Sequence, residues 1–218
     1  MALFKDRKHA GRILAEKLTA YQNQPEVVVL GLPRGGVLVG YEIALALNAP
    51  LDVFIVRKLG MPGHEELALG AISSGGIRVL NDEIVHELNI SNDVLEMVTQ
   101  RELQELKRRE QAYRGDHPPL DVRGRSVILV DDGLATGASM RAAVSGLRTR
   151  RPHRIVVAVP VAASDICKEF EAVADEVVCA VTPKLFHGVG MWYEDFTQIT
   201  DKEVQNLLEK SASQAQHW

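Results

Sequence analysis

Five short apolar runs constrain the fold of this 218-residue chain more than any other feature. The runs are rich in valine and isoleucine, are bounded by turn residues and hardly alternate with polar residues. They cover Val27–Leu32, Leu51–Val56, Val127–Val130, Ile155–Val161 and Val177–Val181. Such runs are typical of strands that are buried on both faces of a parallel sheet. Helical stretches lie between them, for example Val37–Leu47 and Met140–Arg150. We therefore expect an α/β fold that binds ligands at the carboxyl ends of its strands.

Other segments complete the predicted architecture around this sheet. They are an amphipathic helix over residues 6–21, a hairpin formed by Ala68–Ser73 and Gly76–Leu80, and a charged helix over Asn92–Tyr113 that Ser91 would cap. We expect a single domain over residues 1–205 and a loose C-terminal tail over residues 206–218.

Composition narrows the classes of function. With 46% hydrophobic and 25% charged residues the chain is predicted to fold as a soluble protein, and its net charge of −4 argues against a basic surface that wraps nucleic acid. Neither Cys167 nor Cys179 belongs to a CxxC pair, so we expect no disulfide scaffold, no four-cysteine zinc site and a reducing, cytoplasmic location. No apolar run approaches the ~20 residues of a membrane-spanning helix.

The strongest chemical signal is the segment VILVDDGLATGAS, residues 127–139. Here a buried strand delivers Asp131 and Asp132 to the carboxyl edge of the sheet. The small residues that follow leave backbone N–H groups uncovered at a predicted helix N-terminus, where an anion can bind. Thr136 and Ser139 add hydroxyl donors. Because nearby carboxylates can accept hydrogen bonds from a vicinal diol or meet a magnesium shell, the segment predicts a ribose 5-phosphate site.

Other phosphate-binding motifs fit this segment poorly. A P-loop needs a GK[ST] sequence, and this loop has no lysine. The dinucleotide fingerprint GxGxxG is also absent, because Gly133 and Gly137 are separated by three residues. The alternative without a ligand is a tight strand-to-helix turn with two solvated aspartates.

Residues 127–139 resemble the phosphoribosyl pyrophosphate (PRPP) signature of the type I phosphoribosyltransferases, and the resemblance extends over about residues 8–205. It implies a mostly parallel sheet flanked by helices, with a flexible hairpin loop and a small hood. It also implies that Asp131 and Asp132 are the catalytic acids, which contact the ribose hydroxyls and Mg²⁺. The 5-phosphate would be held by Ala135, Thr136, Gly137, Ala138 and Ser139.

A second Gly-rich turn, PRGG at residues 33–36, ends the first predicted strand. By itself it is a plain strand–helix connection, but it is similar to the family's pyrophosphate loop, which often contains a cis peptide. The resemblance assigns pyrophosphate binding to Arg34, Gly35 and Gly36, with Arg34–Gly35 considered as the cis bond. Exposed amides and a guanidinium suit a diphosphate.

The segment RKLGMPGHEE follows the second predicted strand. Lys58 and Arg57 would stand at the carboxyl end of that strand, where Lys58 is expected to bind pyrophosphate; the alternative is two surface cations. A zinc-protease HExxH motif is excluded because Ala68 stands where the second histidine would be. Residues 60–90 resemble the family's mobile loop in position.

Four aromatic residues lie within residues 186–196, after the last predicted strand. In the family a hood near the chain ends selects the acceptor, commonly by stacking, so residues 183–200 are expected to form it and Phe186, Trp192 or Tyr193 to bind the acceptor. The alternative is an aromatic plug that seals the sheet. His187 is expected to be an ordinary loop histidine.

The resemblance implies a Mg²⁺-dependent pentosyl-transferring enzyme of nucleotide metabolism. It would transfer 5-phosphoribosyl from PRPP to a nitrogen acceptor, such as a nucleobase or related heterocycle, and release pyrophosphate. The combined motifs look closest to a bacterial subfamily with an unassigned acceptor, and a homodimer is expected. The alternative is a non-catalytic PRPP-binding regulator. A basic face would favour it, and its candidates are Lys107, Arg108, Arg109, Arg114, Arg123 and Arg125. A sugar-phosphate hydrolase is less favoured, since no DxD motif or nucleophile elbow is present.

Overall fold

The computed structural model describes residues 2–115 and 117–215. Its helices are α1 (Arg7–Glu16), α2 (Gly35–Leu47), α3 (Asp82–Glu87), α4 (Asn92–Arg114), α5 (Ala138–Thr149), α6 (Ser164–Phe170) and α7 (Asp201–Ala215). Its strands are β1 (Val27–Gly31), β2 (Leu51–Val53), β3 (Val56–Met61), β4 (His64–Ser73), β5 (Ile77–Leu80), β6 (Ser126–Val130), β7 (Arg154–Val161) and β8 (Glu176–Val181). Single 3₁₀ turns lie at Thr19–Tyr21 and Val189–Trp192.

A five-stranded parallel sheet in the order β2-β1-β6-β7-β8 forms the centre of the fold. Alternate residues of each strand face two separate cores: Val27 and Val29 contact a core shared with α1, α2 and α7, whereas Val28 and Leu30 face α5 and α6. Both faces are therefore buried, which is why the strands read as continuous apolar runs. The α/β fold class is confirmed.

The strand order reverses between β1 and β6. From β1 the chain proceeds to β2 on one side, and from β6 it proceeds to β7 and β8 on the other. The loops that leave β1 and β6 consequently diverge and open a crevice at their carboxyl ends, which is where open α/β sheets bind ligands.

A second, antiparallel sheet joins β3, β4 and β5. It confirms the predicted hairpin, but the predicted single strand Leu51–Val56 is wrong, because β2 ends at Val53 and β3 begins at Val56 in the other sheet. Phe54 and Ile55 make the transition and are each 1% exposed, since they enter different cores. Their burial explains why the run is apolar throughout.

The predicted C-terminal tail is also wrong over its described part, because α7 continues to Ala215; residues 216–218 lie outside the described residues. Val204 and Leu208 are buried against the α2 and α4 side of the molecule. The helix starts with a capping box, in which Thr200 Oγ1 accepts from Glu203 N (3.2 Å) and Glu203 Oε2 accepts from Thr200 N (2.8 Å).

Cys167 and Cys179 form a disulfide between α6 and β8, which corrects the expectation of reduced cysteines.

We predict that an alkylating reagent labels neither thiol in the native protein until a reductant is added, and that the intact mass rises by that of two hydrogens on reduction. The two cysteines are 12 positions apart in sequence. Closing a loop of that length contributes about 2–3 kcal/mol to stability, so reduction should lower the unfolding temperature. Full labelling without reductant, measured by mass spectrometry, would show that the bond does not form.

Within the described ranges, no helix combines the length and the apolar character that crossing a bilayer requires.

Candidate functional site

The site is built where β1 and β6 end side by side. Gly31 pairs with Val130 at the ends of the two strands, and Leu32 N donates to Val130 O at 2.8 Å. The turn after β1 then passes very close to the acids after β6. A Cβ added to Gly36 would lie 2.8 Å from Asp131 Cα, and one added to Gly35 would collide with the Asp132 carboxylate. Glycine is therefore required at both positions.

The turn itself contains a cis peptide between Pro33 and Arg34, one bond before the Arg34–Gly35 bond that the sequence analysis considered. Helix α2 starts immediately afterwards at Gly35. The Arg34 side chain is 35% exposed, and its Nη1 lies 3.9 Å from Asp201 Oδ1 at the start of α7. The guanidinium thus remains available beside the crevice.

The two acids are half-buried. Asp131 Oδ1 accepts from Asp132 N at 2.8 Å, and Asp132 Oδ2 accepts from Arg7 Nε at 2.7 Å. Burial raises the pKa of Asp131 well above its ordinary range, and repulsion from Asp132 adds to the shift. Burial also raises the pKa of Asp132, against the opposing effect of the Arg7 guanidinium. A ligand that donates hydrogen bonds or positive charge here would relieve an unfavourable burial.

The small-residue loop surrounds an open concavity at the N-terminus of α5. Gly137 caps the helix in the left-handed conformation with φ 72°. Its neighbours Ala135, Thr136, Ala138 and Ser139 line the concavity. A cavity of about 160 Å³ lies within the loop and is also lined by Asp131. The arrangement presents backbone N–H groups and hydroxyls together at the positive end of a helix, as an anion site requires.

Lys58 was expected at the carboxyl end of a central strand. It lies instead in β3 of the antiparallel sheet. Its side chain nevertheless lines a cavity of about 420 Å³ together with Thr136 and Ser139. Its Nζ lies 3.6 Å from the exposed Glu66 carboxylate. Arg57 has a different environment, because it pairs with the buried Glu102 at 2.6 Å and fastens β3 to α4.

The hood includes residues 3–4 in addition to the main part that was expected at residues 183–200. Phe4 N and Leu3 N both donate to Trp192 O, at 2.9 and 3.0 Å, and Glu194 N donates to Phe4 O at 2.8 Å. These bonds hold residues 3–4 alongside residues 192–194, where Phe4 and Tyr193 form an isolated parallel bridge. The hood is therefore formed by two segments that are far apart in sequence.

The aromatic residues of the hood are not equivalent. Tyr193 is 5% exposed and packs between Phe4 and Phe196, with ring centroids 5.3 and 5.0 Å away. Its hydroxyl donates to Asp132 O at 2.6 Å, so the structure corrects its predicted stacking role to one of support. Phe186 and Trp192 are half-buried against the same cluster. Of the described side chains, Trp192 alone has a fully buried polar atom, Nε1, without a partner.

Sequence reasoning missed Arg7, which is buried beside the acid pair. A single arginine in the first turn of an amphipathic helix carries no motif. Its only available signal is its place near the buried face of α1.

The model of the phosphoribosyl transferase domain family matches residues 4–193. The chain belongs to this family. Among its relatives, a Mycobacterium tuberculosis protein named "Putative phosphoribosyl transferase Rv0571c" is 46% identical over 211 residues, which cover 97% of this chain and 47% of the relative. The chain thus spans about half the length of that relative.

Two further comparisons support the assignment to different extents. The crystal structure of TT1426 from Thermus thermophilus matches this protein with a TM-score of 0.84 and 44% sequence identity. The match covers 96% of this chain and 99% of the TT1426 chain. The bifunctional protein PyrR of Listeria monocytogenes is 46% identical over only 54 residues, 24% of this chain and 30% of PyrR. The first comparison extends to the whole fold, and the second only to a segment.

Proposed function

We propose that this protein transfers the 5-phosphoribosyl group of PRPP to a nitrogen acceptor and releases pyrophosphate. The observation that carries the proposal is the close packing of three features at one crevice: the anion loop of residues 135–139, the half-buried acid pair and the PRGG turn. PRPP has three matching parts, namely a 5-phosphate, a vicinal diol and a 1-diphosphate.

Each feature would have a separate role in this reaction. Thr136, Ser139 and the loop amides would bind the 5-phosphate, and Asp131 and Asp132 would accept hydrogen bonds from the ribose hydroxyls. The Arg34 guanidinium and the Gly35–Gly36 amides would stabilise the diphosphate as the C1–O bond breaks. A C1–N bond then forms on the opposite face with inversion, and the acceptor nitrogen loses its proton. The chain contributes mainly by positioning and by electrostatic stabilisation.

Lys58 would strengthen the same end of the crevice. It lines the cavity that Thr136 and Ser139 share, and its weak contact with an exposed glutamate leaves its ammonium free to turn toward an anion.

The acid pair also suits Mg²⁺. Within residues 2–115 and 117–215, no group of three or more histidine, cysteine or acidic side chains could hold a metal ion by itself. Asp131 and Asp132 would supply one or two oxygen ligands and the substrate the others, which is how Mg²⁺ usually binds. When bound, Mg²⁺ would neutralise charge on the departing diphosphate.

The acceptor would bind under the hood. Phe186 and Trp192 offer half-buried rings there, and the unpartnered Trp192 Nε1 could donate to a heterocycle after a small movement of the indole. A nucleobase or related nitrogen heterocycle has both the flat face and the acceptor atom that this environment needs. Assembly as a homodimer is part of the same proposal.

Three of the six residues of the basic face that would favour a non-catalytic regulator form ion pairs with acidic residues. Arg108 and Arg109 both pair with Glu105, at 2.7 and 2.8 Å, and Arg114 is buried in an ion pair with Asp52 at 2.7 Å. These contacts reduce the positive charge that this face could offer to nucleic acid.

We predict that pyrophosphate is released from PRPP with Mg²⁺ only when the right acceptor is present, and that Asp131→Asn abolishes the release. The assay compares no acceptor with a panel of nucleobases and related amines. Binding of PRPP without release for any acceptor would favour the regulator. Absence of PRPP binding altogether would overturn both functions.

A further inference from the structure

We propose that Arg7 is a positioning residue that fixes the orientation of Asp132 toward the ribose and links that orientation to the hood. The inference rests on the proposed function. It concerns a residue on α1 that belongs to none of the three features assigned to substrate above.

Arg7 is held like a component of a site rather than a surface cation. It is only 7% exposed, although arginine is rarely buried without a partner. Its Nε donates to Asp132 Oδ2 at 2.7 Å, and its Nη1 donates to Thr197 O at 2.9 Å. Its Cζ lies 3.8 Å from the centroid of the Phe196 ring. Two hydrogen bonds and one stacked face together fix a planar guanidinium in a single orientation.

This arrangement gives the two oxygens of the Asp132 carboxylate different roles. Arg7 engages Oδ2, so Oδ1 is the oxygen left to accept a ribose hydroxyl. The Tyr193 hydroxyl holds the carbonyl of the same residue at 2.6 Å. Asp132 is therefore fixed at its main chain and its side chain, and both partners contact the hood. Without Arg7, the carboxylate could rotate about its side-chain torsions, and part of the binding free energy would be spent on ordering it.

The same contacts connect the hood to the turn that faces the diphosphate. Arg7 Nε would lie 2.9 Å from a Cβ at Gly35, so the guanidinium is in close contact with the PRGG turn as well as with Asp132. A displacement of Thr197 or Phe196 would move the guanidinium and hence the carboxylate. Occupation of the hood by an acceptor would therefore affect the grip on ribose.

Helix α1 offers a matched control. Arg12 also forms an ion pair through its Nε, with Glu42 Oε2 at 2.9 Å, but its side chain is 67% exposed and its partner lies on α2. Arg12→Ala removes an arginine, an ion pair and the same number of atoms from the same helix, without touching the acid pair.

The test measures PRPP affinity by calorimetry in the presence of Mg²⁺ for Arg7→Ala, Arg7→Lys and Arg12→Ala. We expect Arg7→Ala to weaken PRPP binding by about tenfold or more, because a charge-assisted hydrogen bond to a ligand-binding carboxylate is lost. Arg7→Lys should recover only part of the loss, because an ammonium cannot reproduce the planar fork. Arg12→Ala should bind PRPP like the wild type.

Inorganic phosphate distinguishes positioning from general damage. As a competitor it requires only the loop of residues 135–139, so its affinity should stay unchanged in the Arg7 variants while that of PRPP falls. Parallel loss of both affinities would assign Arg7 a merely structural role and overturn the inference. If Arg7→Ala does not fold, Arg7→Lys and Phe196→Leu provide the same comparison.

A double variant tests the route through Asp132. Arg7→Ala combined with Asp132→Asn should bind PRPP no more weakly than Asp132→Asn alone, because both changes affect one interaction. Additive losses of PRPP affinity in the double variant would overturn the inference. So would Arg7 variants that bind PRPP like the wild type while Asp132→Asn is impaired. Either result leaves the proposed function intact. Failure of the wild type to bind PRPP would overturn the proposed function and this inference together.

Discussion

Asp132→Asn is expected to weaken PRPP binding by more than about tenfold while the protein still folds, because a charged acceptor of ribose hydroxyl protons is replaced by a neutral amide. The substitution preserves the volume of the side chain, and the amide oxygen can still accept from Arg7 Nε. Calorimetric titration with PRPP at fixed Mg²⁺ measures the affinity, and thermal unfolding measures the fold.

Stability should be unchanged or slightly higher in this variant. Folding raises the pKa of Asp132 through burial. An acid with a raised pKa favours the folded state only while it is protonated, so that contribution is lost as the pH rises through the folded-state pKa. Above the folded-state pKa the ionised carboxylate disfavours the folded state, and a neutral asparagine removes this effect.

Asp121→Asn is the matched control for this experiment. Asp121 is exposed and caps a local turn, with its Oδ1 accepting from Arg123 N at 3.0 Å, on the loop that precedes β6. It should leave PRPP affinity unaltered. Wild-type affinity in Asp132→Asn would remove the proposed ribose role of that acid.

Gly137→Ala should reduce PRPP affinity by about tenfold or more by distorting the anion loop, since a shift of under an ångström disturbs several charge-assisted hydrogen bonds. Two effects act at this position. The φ of 72° is unfavourable for a residue with a Cβ. In addition, that Cβ would lie 2.6 Å from Cε2 of the Phe170 ring, which is itself fully buried. The ring cannot move away easily, so the loop must shift.

Gly124→Ala separates these two effects. Gly124 has a nearly identical φ of 69°, but a Cβ there would meet nothing within 4 Å. It should lose only about 1–2 kcal/mol of stability and keep its PRPP affinity. Equal PRPP affinities in the two variants, measured by calorimetry, would show that the loop does not bind the phosphate through the geometry described here.

The parts of the fold that sequence predicted are those whose signals are local. Burial on two faces produces the apolar runs, and the acid pair with its anion loop occupies consecutive positions. The Leu51–Val56 prediction is wrong because burial in two different cores leaves the same apolar pattern as burial in one strand. The capping box at Thr200 and Glu203 is a readable signal for α7 that the sequence analysis did not use.

The rest of the candidate site depends on contacts between distant positions. Arg7 and Asp132 are 125 residues apart in sequence, and no spacing rule relates them. Tyr193 was expected to stack on a ligand because the hood of the family that its sequence resembles commonly binds the acceptor by stacking. Its true neighbour is Phe4, at the other end of the family domain, and only the folded chain brings the two together.

The pairing of residues 3–4 with residues 192–194 has a practical consequence for anyone who engineers this protein. The segment ahead of a first helix is commonly trimmed, or replaced by affinity tags, fluorophores or fusion partners. Here the amides of Leu3 and Phe4 hold the segment whose tyrosine supports Asp132. Trimming or remodelling the chain ahead of α1 is therefore equivalent to mutating the candidate active site.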